Sequence, residues 1–220
     1  MASKVTKIRK ADLGETRARM YRELVFDAAE RVFAEKGFRA SRMEDIAAEA
    51  GISLRTVYAT FRGKNELYRQ IEETRIGQLF ASVVIDESLP PLPRLVAVVR
   101  CYLDFLVSHP AYLRMHLRQG QTWAVEIDDE GTAVEGRIAL GVPELAKIFR
   151  AGMDDGTFHA GNPEVAARLM LASQQILLAD WVRNGGREPA AQLVDDVVLQ
   201  IERSFVTRPP APQPALAALS

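Results

Sequence analysis

The sequence predicts an all-α protein of about nine helices, with an N-terminal three-helix helix-turn-helix unit and a helical-bundle C-terminal region. Three observations predict it. Apolar residues recur at helical spacing through most of the chain. Glycine, Asn-Pro and Ser/Thr/Asn caps punctuate that pattern at helix-length intervals. The stretch Ser41 to Phe61, SRMEDIAAEAGISLRTVYATF, reads as two short helices broken by a tight turn.

Composition narrows the class. A hydrophobic share of 48% and a charged share of 26% over 220 residues are those of an ordinary globular chain with a sizeable core. The net charge of -1 gives no whole-chain attraction to nucleic acid. Its distribution is more informative: residues 1–75 carry 16 Lys/Arg against 12 Asp/Glu, and the remainder 12 against 17. A basic N-terminal end suits a polyanionic partner. Cys101 is the only cysteine, so an intrachain disulfide is excluded and a reducing compartment is expected. Within its apolar run Cys101 reads as a small buried hydrophobe. The opening MASKVTKIRK lacks the apolar run of a signal peptide. No stretch reaches the roughly 18 apolar residues of a membrane span, so a cytoplasmic protein is expected.

Residues 1–16 read as a flexible basic arm, with Lys4, Lys7, Arg9 and Lys10 and no acid among the first ten. Such an arm is either a solvated tail or a phosphate-seeking extension that adds affinity and salt dependence. Helix 1 is expected from Thr16 to Lys36, burying Leu24, Val25, Ala28, Ala29, Val32 and Phe33. Gly37 ends it and Phe38 packs back on its last turn. Ser41 and Glu44 form a capping box for helix 2, which buries Met43, Ile46, Ala47 and Ala50. Gly51 makes the turn, and Ser53 caps helix 3, Leu54 to Phe61.

An angular count at about 100° per residue divides helix 3. Leu54, Val57 and Phe61 share the inward side; Arg55 and Ala59 lie opposite, flanked by Thr56 and Tyr58. Arginine can donate twice to guanine O6 and N7, and Ala and the Thr methyl can touch a thymine methyl. Tyr and Thr hydroxyls reach phosphate oxygens. Lys64 follows, and Asn65 is expected to cap helix 4. An element of this build is also compatible with a plain helical hairpin whose Arg55 and Tyr58 are solvated.

Ala28-Ala29, Phe33, Lys36-Gly37-Phe38, Ile46-Ala47, Glu49-Ala50-Gly51-Ile52-Ser53, Thr56-Val57-Tyr58, Phe61, Lys64 and Glu66-Leu67 closely resemble the N-terminal domain of the TetR family of bacterial transcriptional regulators. The resemblance covers about residues 20–70 and is weak beyond. It implies that helix 3 is the recognition helix. Arg42, Ser53, Arg55, Thr56, Tyr58, Thr60 and Lys64 become the DNA-binding candidates, with Arg42, Tyr58 and Lys64 at or beside phosphate-contact positions. One position departs: the family often carries a larger polar or aromatic residue where this chain has Ala59.

Helix 4 is expected over Asn65–Val84, broken by Leu89-Pro-Pro-Leu-Pro93, and helix 5 over Arg94–Ser108 with an Arg100–Asp104 pair. Helix 6 follows over Ala111–Gln119, then an irregular stretch with the acidic run Asp128-Asp129-Glu130. Helix 7 is expected over Thr132–Met153, kinked at Pro143. Asn162-Pro163 opens helix 8, to Arg183, and helix 9 runs from Glu188-Pro189 to Val206. Helix 8 is apolar around most of its circumference and needs a second burial partner. The resemblance supplies one, a homodimer through helices 8 and 9, consistent with two recognition helices about 34 Å apart on a palindromic operator. It also implies a small-molecule effector cavity among helices 4 to 8. The candidates there are Tyr102, Phe105, Tyr112, Met115, His116, Trp123, Phe149, Gln174, Gln175 and Trp181. The domain plan is therefore an arm (1–16), a DNA-binding domain (17–64), an effector-binding and dimerisation domain (65–206) and a disordered Pro/Ala tail (207–220).

No nucleophile–base pairing, phosphate-cradling glycine loop or metal spacing occurs, and His109, His116 and His159 fit no ligand motif. Neither an enzyme nor a cofactor or metal is expected. The expected function is a homodimeric repressor released from DNA by a small molecule; the alternative is an architectural, nucleoid-associated DNA-binding protein without an inducer.

Overall fold

The computed structural model describes residues 10–118, 126–127, 133–134, 141–187 and 189–207. Those residues form nine α-helices and one short antiparallel strand pair. The helices are α1 Lys10–Lys36, α2 Met43–Ala50, α3 Leu54–Thr60, α4 Lys64–Ser82, α5 Pro91–Ser108, α6 Pro110–Arg118, α7 Val142–Asp154, α8 Pro163–Arg183 and α9 Ala190–Phe205. Strands β1 (Glu126–Ile127) and β2 (Ala133–Val134) pair Glu126 with Val134 and Ile127 with Ala133. The chain divides into two compact units, Met1–Val83 with Asp104–Gly120, and Val84–Leu103 with Gln121–Ser220.

In the first unit α1 is the spine against which α2, α3, α4 and α6 pack. Val25, Ala28, Ala29, Val32 and Phe33 are buried as the periodicity requires, but Leu24 is 39% exposed and leaves the stripe. Helix α1 also starts at Lys10, so of the expected arm the part from Lys10 onward is helical, and residues 1–9 lie outside the described residues. Gly37 takes φ 78°, a left-handed conformation that costs a side-chain-bearing residue energy, and the Phe38 ring returns to Phe33 at 5.7 Å. Tyr68 of α4 closes this aromatic cluster, 4.8 Å from Phe38.

The start of α2 corrects the expected capping box. Ser41 is buried, and its hydroxyl donates to the carbonyl of Gly37 at 2.6 Å, finishing α1. Residue 42 takes the cap position instead, and the Asp45 carboxylate accepts from the Arg42 N–H at 2.9 Å. Helix α4 likewise begins one residue before Asn65; Glu66 accepts from the Arg62 N–H at 2.7 Å, and Asn65 does not cap.

In the second unit α7 packs on α8, and α8 on α9. Pro143 sits in the first turn of α7, where its missing N–H costs nothing, so it starts that helix and does not kink one. Strand β2 occupies part of the segment expected to be helical. Asn162 caps α8 by accepting from the Val165 N–H at 3.1 Å. Phe158 lies directly on Gly152 of α7, and Phe149 meets Phe158 and Phe205, each at 5.1 Å. A Phe158–Val206 bridge ties the end of α9 to the turn before α8. Arg100 pairs with Asp195 of α9 at 3.4 Å, in place of the expected Asp104.

Candidate nucleic-acid interface

The turn between α2 and α3 is built from local chemistry. Gly51 adopts φ 65°, and the N–H groups of Gly51 and Ile52 bond the carbonyls of Ala48 and Ala47. Ser53 then accepts from the Thr56 N–H at 3.2 Å and begins α3. Its hydroxyl also shares a 2.8 Å hydrogen bond with that of Thr56, leaving one O–H of the pair for an outside acceptor.

Helix α3 has the two sides that the angular count requires. Val57 is fully buried and Phe61, its C-cap, is 2% exposed. Leu54 is only half-buried. Arg55, Tyr58 and Ala59 are exposed, and Thr56 is half-exposed. Thr60 donates its hydroxyl to the Thr56 carbonyl at 2.8 Å, so it offers an outside group lone pairs and no hydrogen. Arg42 is exposed at the start of α2.

Lys64 is engaged within the protein. Its ammonium donates to the carbonyls of Phe38, Arg39 and Ser41 at 2.9, 3.2 and 3.1 Å, and lies 4.6 Å over the Phe38 ring. An ammonium has three hydrogens, and all three are taken. In this arrangement Lys64 closes the α1–α2 connection, where unpaired helix-end carbonyls need donors.

Facing α3, the N-terminal half of α1 contributes Ala18, Arg19, Tyr21 and Arg22 to an open groove of about 590 Å³, completed by Arg55, Thr56, Ala59 and Thr60. Arg22 is held there by Gln70 Oε1 at 2.5 Å and by the Phe61 ring at 4.6 Å. Sequence reasoning missed these α1 residues, because nothing in their spacing announces that they face α3.

The effector candidates fall in both units. In the first, Phe105, Tyr112 and Met115 are buried, and the rings of Phe105 and Tyr112 stand 6.4 Å apart. Tyr112 and His116 rings lie 5.9 Å apart, and desolvation pushes the His116 imidazole down to about 4. In the second, Tyr102 hydrogen-bonds Gln175, and burial nevertheless raises the pKa of its hydroxyl. Gln174 is 1% exposed, and its Nε2 has no partner among the described residues. Phe149 serves the α7–α9 core, and Trp181 lies over Gly186 at the end of α8. Trp123 and the run Asp128-Asp129-Glu130 lie outside the described residues. No cluster of metal-ligating side chains occurs among the described residues.

A short exposed helix raised on a three-helix core is the build of a helix-turn-helix DNA-binding protein. Comparison with known proteins gives the family. The family model for bacterial regulatory proteins, tetR family, matches residues 25–71, and that for the tetracyclin repressor-like C-terminal domain matches residues 88–204. The chain belongs to the TetR family of transcriptional regulators. It is 24% identical over 171 residues to the transcriptional repressor KstR2 of Mycobacterium tuberculosis, covering 77% of this chain and 84% of that protein. It is 28% identical over 180 residues to the repressor NicS of Pseudomonas putida, covering 75% and 78%. The solved KstR2 structure superposes with a TM-score of 0.69 at 20% identity, over 85% of this chain and 95% of that one. AibR in complex with isovaleryl coenzyme A and operator DNA gives 0.64 at 19%, over 82% and 97%.

Proposed function

We propose that this regulator is a homodimeric repressor that reads a palindromic operator with α3 and leaves it when a small molecule binds. The observation that carries the DNA reading is the exposure of Arg55, Tyr58 and Ala59 above a helix face sealed by Val57 and Phe61. Arg55, Thr56, Tyr58 and Arg42 are the contacts, with the Ser53–Thr56 hydroxyl pair offering one O–H to a phosphate. Thr60 accepts only, and Lys64 is structural.

The dimer reading rests on α8. Val165, Leu169 and Ile176 are 49%, 58% and 69% exposed and fall within about 40° of one another on the helix wheel. Leu199 of α9 is 42% exposed. A row of large apolar residues left open on one helix asks for a covering partner. A second copy of α8 and α9 fits by symmetry.

The effector is an organic molecule held by apolar walls with few polar anchors. Gln174, buried with an unused amide donor, and Gln175 beside Tyr102 are the polar groups available in the second unit. Since AibR is solved with isovaleryl coenzyme A, short acyl-coenzyme A thioesters are the first probes to try. The plan of a DNA-binding domain (17–64), an effector and dimerisation domain (65–206) and a function within the cytoplasm belongs to this same reading.

Selection of bound duplexes from a random pool tests it. An inverted repeat is the expected product. Uniform, sequence-blind recovery would favour the architectural alternative and reject an operator-specific repressor.

A further inference from the structure

We propose that the groove between α1 and α3 seats one sugar–phosphate strand of the operator, with Arg19 as its phosphate donor. This rests on the DNA-binding reading above and extends the interface to α1. The groove measures about 590 Å³ and brings Arg19, Arg22 and Arg55 to one opening, with no carboxylate among its lining residues. Three arginines lining one opening without a carboxylate give a positive local potential that favours an anion there.

The two α1 arginines are prepared differently. Arg22 is oriented by Gln70 and stacked on Phe61, yet a guanidinium has five N–H groups and most remain for a ligand. Arg19 is exposed and has no hydrogen-bond or ion-pair partner among the described residues, so it is free to close on a phosphate. Between them the wall is apolar: the methyls of Ala18 and Ala59 and the arginine stems suit a deoxyribose ring better than a free inorganic ion. Ala59 is central to this. A long side chain on the outer face of α3 would fill the opening, whereas Ala59 leaves it clear. The contact that a larger residue would make from α3 is thereby transferred to α1.

Binding of the selected operator is followed by fluorescence anisotropy over a salt series, with hydroxyl-radical footprinting of the same complexes. Because the dimer carries one Arg19 in each half-site, Arg19→Ala is expected to reduce the slope of log affinity against log salt by about 1.8, which is roughly a 12-fold difference between 50 and 200 mM salt. Base preference stays the same, one protected backbone position per half-site is lost, and Arg19→Lys restores the slope. Ala59→Leu, which plugs the groove, is expected to remove the same protection. Circular dichroism on each variant verifies the fold. An Arg19→Ala protein with wild-type slope and footprint overturns the proposal, as does a change of preference at a single base pair. Wild-type protein that selects no duplex at all would remove the DNA-binding reading beneath it, a result distinct from either.

Discussion

Arg75 of α4 grips Glu30 of α1 with two hydrogen bonds, Nε to Oε1 at 2.8 Å and Nη2 to Oε2 at 2.6 Å. The carboxylate side chain is 7% exposed and the guanidinium 15%. A charge left alone at such a site is costly, so Glu30→Ala is expected to lose about 2–3 kcal/mol of stability, below the about 3–5 of a fully buried pair. Urea unfolding measures this. Replacing both partners, Glu30→Leu with Arg75→Met, is expected to recover much of the loss; an equal loss in the double variant would show that the cost is the missing pair itself and not the stranded guanidinium.

Lys64→Ala separates two roles for one ammonium. Because it holds the carbonyls of Phe38, Arg39 and Ser41, its removal is expected to cost about 1–3 kcal/mol of stability. The salt dependence of operator binding should stay as it is. A slope reduced by about two units, one for each half-site, with stability unchanged would return Lys64 to the phosphate backbone.

Arg55→Ala tests the reading face. Loss of a bidentate base contact is expected to weaken binding to the selected operator by about 1–3 kcal/mol per half-site and relax preference at one position in each. Unchanged preference at constant salt would show that Arg55 does not read a base.

Ile176→Asp places a charge in the open row of α8. Sedimentation velocity should show the dimer shifted to monomer, while isolated-subunit stability changes little because the site is already 69% exposed. A dimer unaffected by this change would place the interface on another surface.

His116 gives the stability a pH limb. Its imidazole titrates near 4 in the folded chain because burial disfavours the cation, against 6.5 in the unfolded one. Between those values the unfolded state binds more protons, so stability is complete above about 6.5 and falls as pH drops toward 4. Asp45, whose pKa is lowered by its bonds from Lys36 and the Arg42 N–H, acts only further down, with Asp86 and Asp155. Urea unfolding at pH 7.5 and 5 is expected to show a smaller difference in His116→Leu than in the wild type.

What was legible in the sequence was mostly local. Gly51, the Ser53 cap and the Val57–Phe61 face each depend on residues within a turn or two, so pattern alone places them. Ser41 shows how fine the margin is: Asp45 competes with Glu44 for the capping role, and a shift of one residue turns a helix start into a helix stop. Non-local partners left no comparable trace. Lys64 finds its carbonyls 23 to 26 residues back, Arg75 reaches Glu30 across 45, and Arg100 reaches Asp195 across 95. The α1 wall of the groove escaped for the same reason, since only the folded chain shows which side of α1 faces α3.

Gly152 and Phe158 carry a consequence for how this sequence can drift. A Cβ on residue 152 would stand 2.2 Å from the Phe158 ring, closer than any real contact. The two positions are therefore coupled in one direction. A methyl gained at 152 becomes tolerable only in a lineage that has already traded the ring at 158 for something smaller. The order in which these two positions can change is fixed by that contact.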